Sequence, residues 1–511
     1  MSEASPSADI AARNRTPGRV IGAGIVARSG GAAVSTVSGL LTTLLTVRLL
    51  GVRSYGLLAV GLAGVALASV AARLGLGGAV VRSIAAMSAE GRRDAVASIV
   101  HGASGIVVVS GGAAALVVAT VVAITTPDTA PFAGLTLGVG LALLLFGRVA
   151  AAAASFVARG LGRMAWIEVP GVVVTVLQLV AVVVLFSMGV DDVRVVAAAY
   201  GVVGVAAFAT SAAAVRMTVA AGWEALRPRR GDALALLRTA APYAVSGIAV
   251  QVISQLDVVV LGIARGSVEV GKYEPALRLT DRMLLLVPAL FLAGFLPAAT
   301  SLVARGERRA FHELYVDVSK LVFVFAMPLV CALIAFPSVW LRMLFGAGFP
   351  ASPAVVRVLL IGYVANLAFG LNSSALVASG SRRPLALAHA VAFAMMVVLA
   401  LALIPPFGAI GAASATSASY VVLNVVVGVA LLRVSGVHPF SHAYLSTLLS
   451  GGMLLAVSAW LGATIDVGSA LEAGTWTAAL WLSWVTVLLT IRVVRIGELA
   501  ALVPSRSGSL R

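Results

Sequence analysis

Charged residues, lysine and cysteine are all scarce in this chain of 511 residues. Only 11% of the residues are charged and 60% are hydrophobic, whereas about a quarter of a soluble globular domain is charged. Cys331 is the single cysteine, which excludes disulfides within the chain and cysteine-based metal sites. The low charge and a mean hydropathy of +1.06 predict an all-α, polytopic membrane protein.

The apolar residues form about fourteen runs, each close to the roughly 20 residues that cross a bilayer as a helix. No cleavable signal peptide is expected, because the first of these runs is too long for one. The expected spans are 22–47, 56–80, 97–124, 132–158, 167–189, 194–217, 240–264, 276–304, 316–338, 354–379, 385–404, 409–432, 442–463 and 474–494.

The basic residues predict the orientation of these spans. Lys272 and Lys320 are the only lysines, and the other basic residues are arginines in short loops or within spans. If the N-terminus is cytoplasmic, about two thirds of the 36 basic residues lie on the cytoplasmic side, as the positive-inside rule requires. Both termini are therefore expected in the cytoplasm. The net charge of +16 follows from these loops and does not indicate nucleic-acid binding.

Two stretches of the chain resemble each other, Ser38–Leu57 and Ser254–Ala276. Each has a polar start, a Leu/Val run, a Leu-Gly pair, a short basic loop and a tyrosine that opens the next span. Six spans separate them, and an even number predicts two parallel repeats. The expected division is a cytoplasmic tail 1–21, an N-lobe 22–217, a cytoplasmic linker 218–239, a C-lobe 240–433, two further spans in 434–496 and a cytoplasmic tail 497–511.

Several segments, taken in order, carry a family resemblance. They include VRLLGVRSYGLLAV (47–60), ARLGLGGAVVRSIA (72–85), SQLDVVVLGIARGSVEVGKYEPALRLTDRMLLLVPALFLAGFLPA (254–298), ALVASGSRRPLALAHA (375–390) and FGAIGAASATSASYVV (407–422). Together they resemble the Wzx-type polysaccharide-biosynthesis flippases of the multidrug/oligosaccharidyl-lipid/polysaccharide exporter superfamily.

This resemblance implies both a fold and a function. The fold is two six-helix lobes around a central cavity, with two additional C-terminal helices. The implied function is the movement of a polyprenyl-diphosphate-linked oligosaccharide from the cytoplasmic to the outer leaflet of the bacterial inner membrane by alternating access. The implied partners are this lipid-linked oligosaccharide, membrane lipids and polysaccharide polymerase or assembly proteins. No cofactor is expected.

Such a diphosphate substrate requires cations, and arginine suits this role because its planar fork pairs with two phosphate oxygens. Arg148 is the deepest candidate, since it lies 11 residues before Arg159, or roughly 16 Å along a helix. Arg278 and Arg282 share a helix face near the outer side. The remaining candidates are Arg73 and Arg28, near cytoplasmic span ends. For each arginine, a structural role in helix packing or snorkelling is the alternative.

Asp257 and Asp281 are the candidate ion-coupling residues. Asp257 precedes Arg265 by 8 residues, roughly 12 Å along a helix, so it lies inside an apolar span. A carboxylate at this depth either binds a coupling cation or proton, or pairs with an arginine of a neighbouring helix.

Other functions remain open from the sequence. A drug or cation antiporter of the same superfamily would need a more apolar, acid-lined cavity, and a flippase for the peptidoglycan lipid precursor is a close alternative. A membrane-embedded glycosyltransferase or polymerase would need a large extracytoplasmic loop, and no run between the spans is long enough. The sequence holds no nucleotide-binding or catalytic motif, so no enzyme activity is expected. A scaffold that does not transport is the last alternative.

Overall fold

The computed structural model describes residues 17–125, 133–219, 254–350 and 352–490, together with scattered residues between 231 and 252. This described part is built of helices and contains no strand, which confirms the all-α fold class. The chain divides into two compact units, Met1–Gln255 and Leu256–Arg511. Most of the expected linker 218–239 and both predicted tails lie outside the described residues, so those boundaries stay predictions.

The first unit contains eight α-helices and one π-helical turn in its described residues. The α-helices are α1 Pro17–Ala72, α2 Leu76–Ala89, α3 Arg93–Ile106, α4 Gly112–Thr125, α5 Ala133–Gly160, α6 Met164–Ile167, α7 Val169–Ser187 and α8 Val193–Val219. The π-helical turn Val107–Gly111 joins α3 to α4.

The second unit contains nine α-helices in its described residues. They are α9 Leu256–Arg265, α10 Ser267–Ala304, α11 Arg308–Ala335, α12 Pro337–Phe345, α13 Pro353–Ala368, α14 Asn372–Ala378, α15 Arg382–Ser435, α16 His442–Thr464 and α17 Ala470–Thr490.

Proline and glycine mark many of the helix ends. Pro337 and Pro353 are the first residues of α12 and α13, where a missing N–H costs no hydrogen bond. Gly436 follows α15 in the left-handed conformation, a common way to end a helix. The apolar stretches form helices because lipid offers no hydrogen-bond partner to the backbone N–H and C=O groups, which a helix pairs internally.

Ten helices in the described part are long and apolar enough to cross a membrane, and the count rises to 11 with α10, which bends by 44° after Leu292. Two of the ten, Val34–Ala72 and Arg383–Ser435, have 39 and 53 residues, which is too long for one crossing. Each consists of two helices that meet at a glycine, Gly51 or Gly408. The expected total of fourteen spans stays a prediction.

The two similar stretches turn at glycines with nearly the same backbone conformation. Gly51 has φ 68° and ψ 175°, and Gly266 has φ 82° and ψ 176°. Both angles lie in the region that only glycine adopts readily. The turn of the second stretch is thus at Gly266 and not at the Leu-Gly pair containing Gly262.

Several of the expected spans are not continuous helices. The span 56–80 breaks after Ala72, the span 97–124 contains the π-helical turn, and the span 354–379 breaks at Phe369–Leu371. In the third case, the Tyr315 hydroxyl donates to the Phe369 carbonyl and the Tyr444 hydroxyl to the Ala368 carbonyl, both at 2.8 Å. These hydroxyls satisfy carbonyls that the break would otherwise leave without a partner in an apolar interior.

Glycines allow α5 and α8 to pack with their backbones in contact. A Cβ added at Gly140 would collide with the Ala197 carbonyl, and one added at Gly147 would collide with the Gly204 backbone. Small residues at helix interfaces are typical of membrane proteins, in which close packing replaces the hydrophobic effect between helices. This contact places α5, which carries Arg148, at the centre of the first unit.

Candidate functional site

Arg73 lies at the break between α1 and α2. Leu74 has φ 46° and Gly75 has φ 78°, and a left-handed leucine costs about 1–3 kcal/mol. The Ser110 hydroxyl, from the π-helical turn, donates to the Ala72 carbonyl at 2.6 Å. The break is therefore supported by a neighbouring helix, which is expected of a backbone feature that has a function.

The Arg73 guanidinium is only partly satisfied. Its Nε is buried and has no hydrogen-bond partner among the described residues. Gly75 supplies no side-chain cap to α2, and the first N–H groups of a helix carry partial positive charge. A buried guanidinium N–H close to a helix N-terminus favours an anion.

Arg148 is half-buried in the first unit. Its Nη2 donates to Oε1 of Gln178 on α7 at 3.5 Å, and Gln178 is itself buried. The amide that Arg148 contacts therefore lies on another helix, which the sequence alone did not show. Arg148 and Arg73 both belong to the first unit. The backbone of Arg28 lies in α1, but its side chain is outside the described part, so its role stays a prediction.

Asp257 is buried at the start of α9 in the second unit. Its Oδ2 accepts hydrogen bonds from Tyr273 Oη at 2.6 Å and Thr416 Oγ1 at 3.0 Å. Its Oδ1 accepts the Val258 N–H at 2.9 Å. The Val258 N–H is a donor and the two hydroxyls can donate as well, which favours an ionised carboxylate, whereas the burial of Asp257 opposes its charge. Arg278, on the next helix, also acts on Asp257 electrostatically, and the choice between ion coupling and pairing with an arginine stays a prediction.

The second unit also contains three candidate residues on α10, namely Arg278, Asp281 and Arg282. Arg278 Nε donates to Glu274 Oε1, one turn earlier, and Glu274 is buried. Tyr363 Oη donates to Asp281 Oδ1 at 2.9 Å. Arg282 is half-buried and has Arg278, Asp281 and Glu274 as its charged neighbours. The hydrogen bond from Tyr363 links α10 to α13. These three residues of α10 therefore do not form an exposed patch at the end of a span.

Tyrosines connect the two carboxylates. The rings of Tyr363 and Tyr420 lie with centroids 5.1 Å apart, and Tyr420 interacts electrostatically with both Asp257 and Asp281. We name Asp257, Tyr273, Asp281, Tyr363, Thr416 and Tyr420 the aspartate–tyrosine cluster. In the part of the chain that the structure describes, no three His, Cys, Asp or Glu side chains are grouped to hold a metal.

A family assignment rests on the N-terminal half and part of the second unit. Residues 21–295 match the family model described as "Polysaccharide biosynthesis protein". The chain belongs to the polysaccharide biosynthesis protein family. This confirms the resemblance found in the sequence segments. No curated protein matches the chain.

Solved structures with the same fold are transporters. A structure titled "Lipid II flippase MurJ, inward closed conformation" is similar with a TM-score of 0.70 and 14% identity, over 91% of this chain and 98% of that one. An inward-facing multidrug resistance MATE family transporter is similar with a TM-score of 0.55 and 16% identity, over 85% of this chain and 98% of that one. At these identities the similarity shows the fold, which is that of a polytopic transporter.

In this member of the polysaccharide biosynthesis family, sequence reasoning found the charged residues but missed their partners. In the second similar stretch, Tyr273 was visible as the tyrosine that opens the next span. The sequence did not show that its hydroxyl donates to Asp257. Thr416 and Tyr363 carry no sequence signal, because each reaches its partner from a helix distant in the chain.

Proposed function

We propose that this protein is a flippase that moves a polyprenyl-diphosphate-linked oligosaccharide from the inner to the outer leaflet by alternating access. Membership of the polysaccharide biosynthesis family and a fold found in lipid and drug transporters support this proposal. The membrane is the bacterial inner membrane, with both termini in the cytoplasm, as the arginine distribution predicts.

The observation that carries the proposal is the guanidinium of Arg73. Its Nε is buried without a partner in the described residues, and a buried donor left unsatisfied costs about 1–3 kcal/mol. An anionic substrate that supplied an acceptor would remove this cost. Arginine holds a phosphate oxygen pair through its planar fork and stays protonated. Arg148, Arg28, Arg278 and Arg282 are proposed to hold the diphosphate at other stages of transport.

A cation-coupled mechanism is the second candidate, and the aspartate–tyrosine cluster favours it. A carboxylate inside a membrane span is costly unless it is paired or used, and Asp257 accepts three hydrogen bonds there. We propose that Asp257, with Asp281, exchanges a coupling cation or proton. Alternatively, the membrane potential alone drives the dianionic headgroup outward, at about 2.3 kcal/mol per charge per 100 mV.

The test is flipping of a fluorescent undecaprenyl-diphosphate oligosaccharide in proteoliposomes that contain the full chain. Arg73→Gln removes the charge, and Arg73→Lys keeps the charge without the fork. Arg53→Gln is the control, because Arg53 is an exposed arginine of α1, the helix that ends just before Arg73. We expect Arg73→Gln to slow flipping by roughly 10- to 150-fold, the equivalent of about 1.5–3 kcal/mol for hydrogen bonds to a charged group.

The outcomes of this assay distinguish the candidate functions and test the role of Arg73. Equal flipping by Arg73→Gln and Arg53→Gln would overturn the role of Arg73 while keeping the function. Transport of a lipid-linked disaccharide-pentapeptide in place of the oligosaccharide would make the protein a peptidoglycan-precursor flippase. Export of a cationic drug, with no movement of either lipid, would make it an antiporter.

A further inference from the structure

The first unit contains an apolar cavity of about 90 Å³ that the transport mechanism does not use. Residues of α3, the π-helical turn, α5 and α8 line it. Its floor is buried and includes Val100, Ala154 and Val157. Ser104 and Ser211 are the polar residues of its lining, and the Ser211 hydroxyl donates to the Ala207 carbonyl of its own helix. The cavity therefore offers its occupant hydrocarbon contacts.

The rim of this cavity lies on the outer surface of the unit. Val108 and Phe208 both line the cavity and are 47% and 39% exposed. Val108 lies in the π-helical turn, where an added residue per turn displaces the side chains from their regular positions. The helices that form the rim are long and apolar enough to cross a membrane, so we take the exposed side chains of the rim to face lipid chains.

Within the described residues, two exposed arginines lie at one end of the cavity. Exposed arginines, Arg159 and Arg216, stand at the ends of α5 and α8. Ala150 and Phe208 precede them by 9 and 8 residues, or about 12–14 Å along a helix. This lies within half of a hydrocarbon core of about 30 Å. Arg148 is turned elsewhere, since it contacts Gln178 on α7.

We infer that this cavity is a binding site for one acyl chain of an anionic phospholipid of the leaflet that contacts Arg159 and Arg216. The apolar floor receives the chain through the gap between Val108 and Phe208, and the two guanidiniums face the phosphate. A molecule with one anionic end and one apolar end matches the arrangement of the site. Phospholipid is also the most abundant amphiphile around the protein, so mass action favours it over a rare lipid.

The test uses phosphatidylglycerol with a diazirine in one acyl chain, and phosphatidylcholine with the same chain. The full-length protein is reconstituted with each probe, irradiated and mapped by mass spectrometry. Ala212→Leu and Ala153→Leu fill the cavity from two different helices. Ala213→Leu is the matched control, because it adds the same side chain at the exposed neighbouring position.

We expect phosphatidylglycerol adducts to concentrate at Val108 and Phe208. Ala212→Leu should reduce them by about tenfold, which corresponds to about 1.4 kcal/mol, and Ala213→Leu should leave them unchanged. A reduction by Ala153→Leu as well would show that the loss follows from filling the cavity and not from a defect of one helix. Arg216→Gln should lower the labelling by phosphatidylglycerol and not that by phosphatidylcholine.

Two results would overturn the inference. One is labelling at Val108 and Phe208 no stronger than at Val202 and Val205, which are exposed on α8 outside the cavity. The other is equal labelling by the anionic and zwitterionic probes, which would remove the role of the arginines. Neither result depends on what the protein transports.

Discussion

Removing the Tyr273 hydroxyl should show whether Asp257 is charged inside the second unit. Tyr273→Phe deletes the shortest hydrogen bond to the carboxylate, at 2.6 Å. Asp257→Asn keeps the shape of the side chain and removes the charge. The two substitutions and their combination form a double-mutant cycle, which isolates the interaction of the pair.

The magnitude depends on the ionisation of Asp257. A hydrogen bond to a charged group contributes about 1.5–3 kcal/mol, whereas neutral hydrogen bonds between membrane helices average about 0.6 kcal/mol. The three donors around Asp257, the N-terminus of α9 and the nearby Arg278 favour the carboxylate, whereas the burial of Asp257 opposes its charge. We expect the favourable contacts to prevail, which gives a coupling free energy of about 1–2 kcal/mol between Tyr273 and Asp257.

The measurement is the free energy of unfolding in mixed micelles, titrated with dodecyl sulfate and followed by circular dichroism. Tyr315→Phe is the control, because the Tyr315 hydroxyl donates to a neutral carbonyl in the same unit at 2.8 Å. Tyr315→Phe should change the free energy of unfolding by the same amount in the wild-type chain and in the Asp257→Asn variant. A coupling free energy for Tyr273 as small as that for Tyr315 would refute the assignment of a charged Asp257.

Two further predictions concern the first unit. Gly147→Val should destabilise it by about 3 kcal/mol or more, because the added carbons collide with the Gly204 backbone; Gly171→Ala, which meets no atom within 4 Å, is the control in the same unfolding assay. Arg194 holds the pKa of Asp192 below its usual value by a side-chain hydrogen bond. The stability from this pair is present above the unfolded pKa of about 3.9 and is lost as the pH falls through the folded pKa. Asp192→Asn should abolish that component in thermal unfolding measured from pH 7 down to pH 3, and an unchanged acid dependence would contradict this reasoning.

The charged residues of the candidate site were predictable, and their environment was not. Asp257 and Arg278 stand out because charges are rare in apolar runs. Their surroundings depend on residues up to 159 positions away, such as Thr416. Sequence reasoning placed Arg278 and Arg282 near the outer side, which stays a prediction, and it did not show that Glu274 beside them is buried. The length of an apolar run does not show whether the charged residues beside it are buried in the folded protein.

Composition and hydropathy alone determined the class of this protein and its apolar runs, because lipid imposes length and hydropathy on each span separately. The family resemblance came from particular sequence segments. Only the tertiary structure decided where the spans break. Leu74 carries no strong breaking signal, and the break there is supported by Ser110 from another helix. The same holds for the break at Phe369, which Tyr315 supports. A local sequence specifies what can be a helix, whereas hydrogen bonds between distant segments determine where a helix can be interrupted inside the membrane.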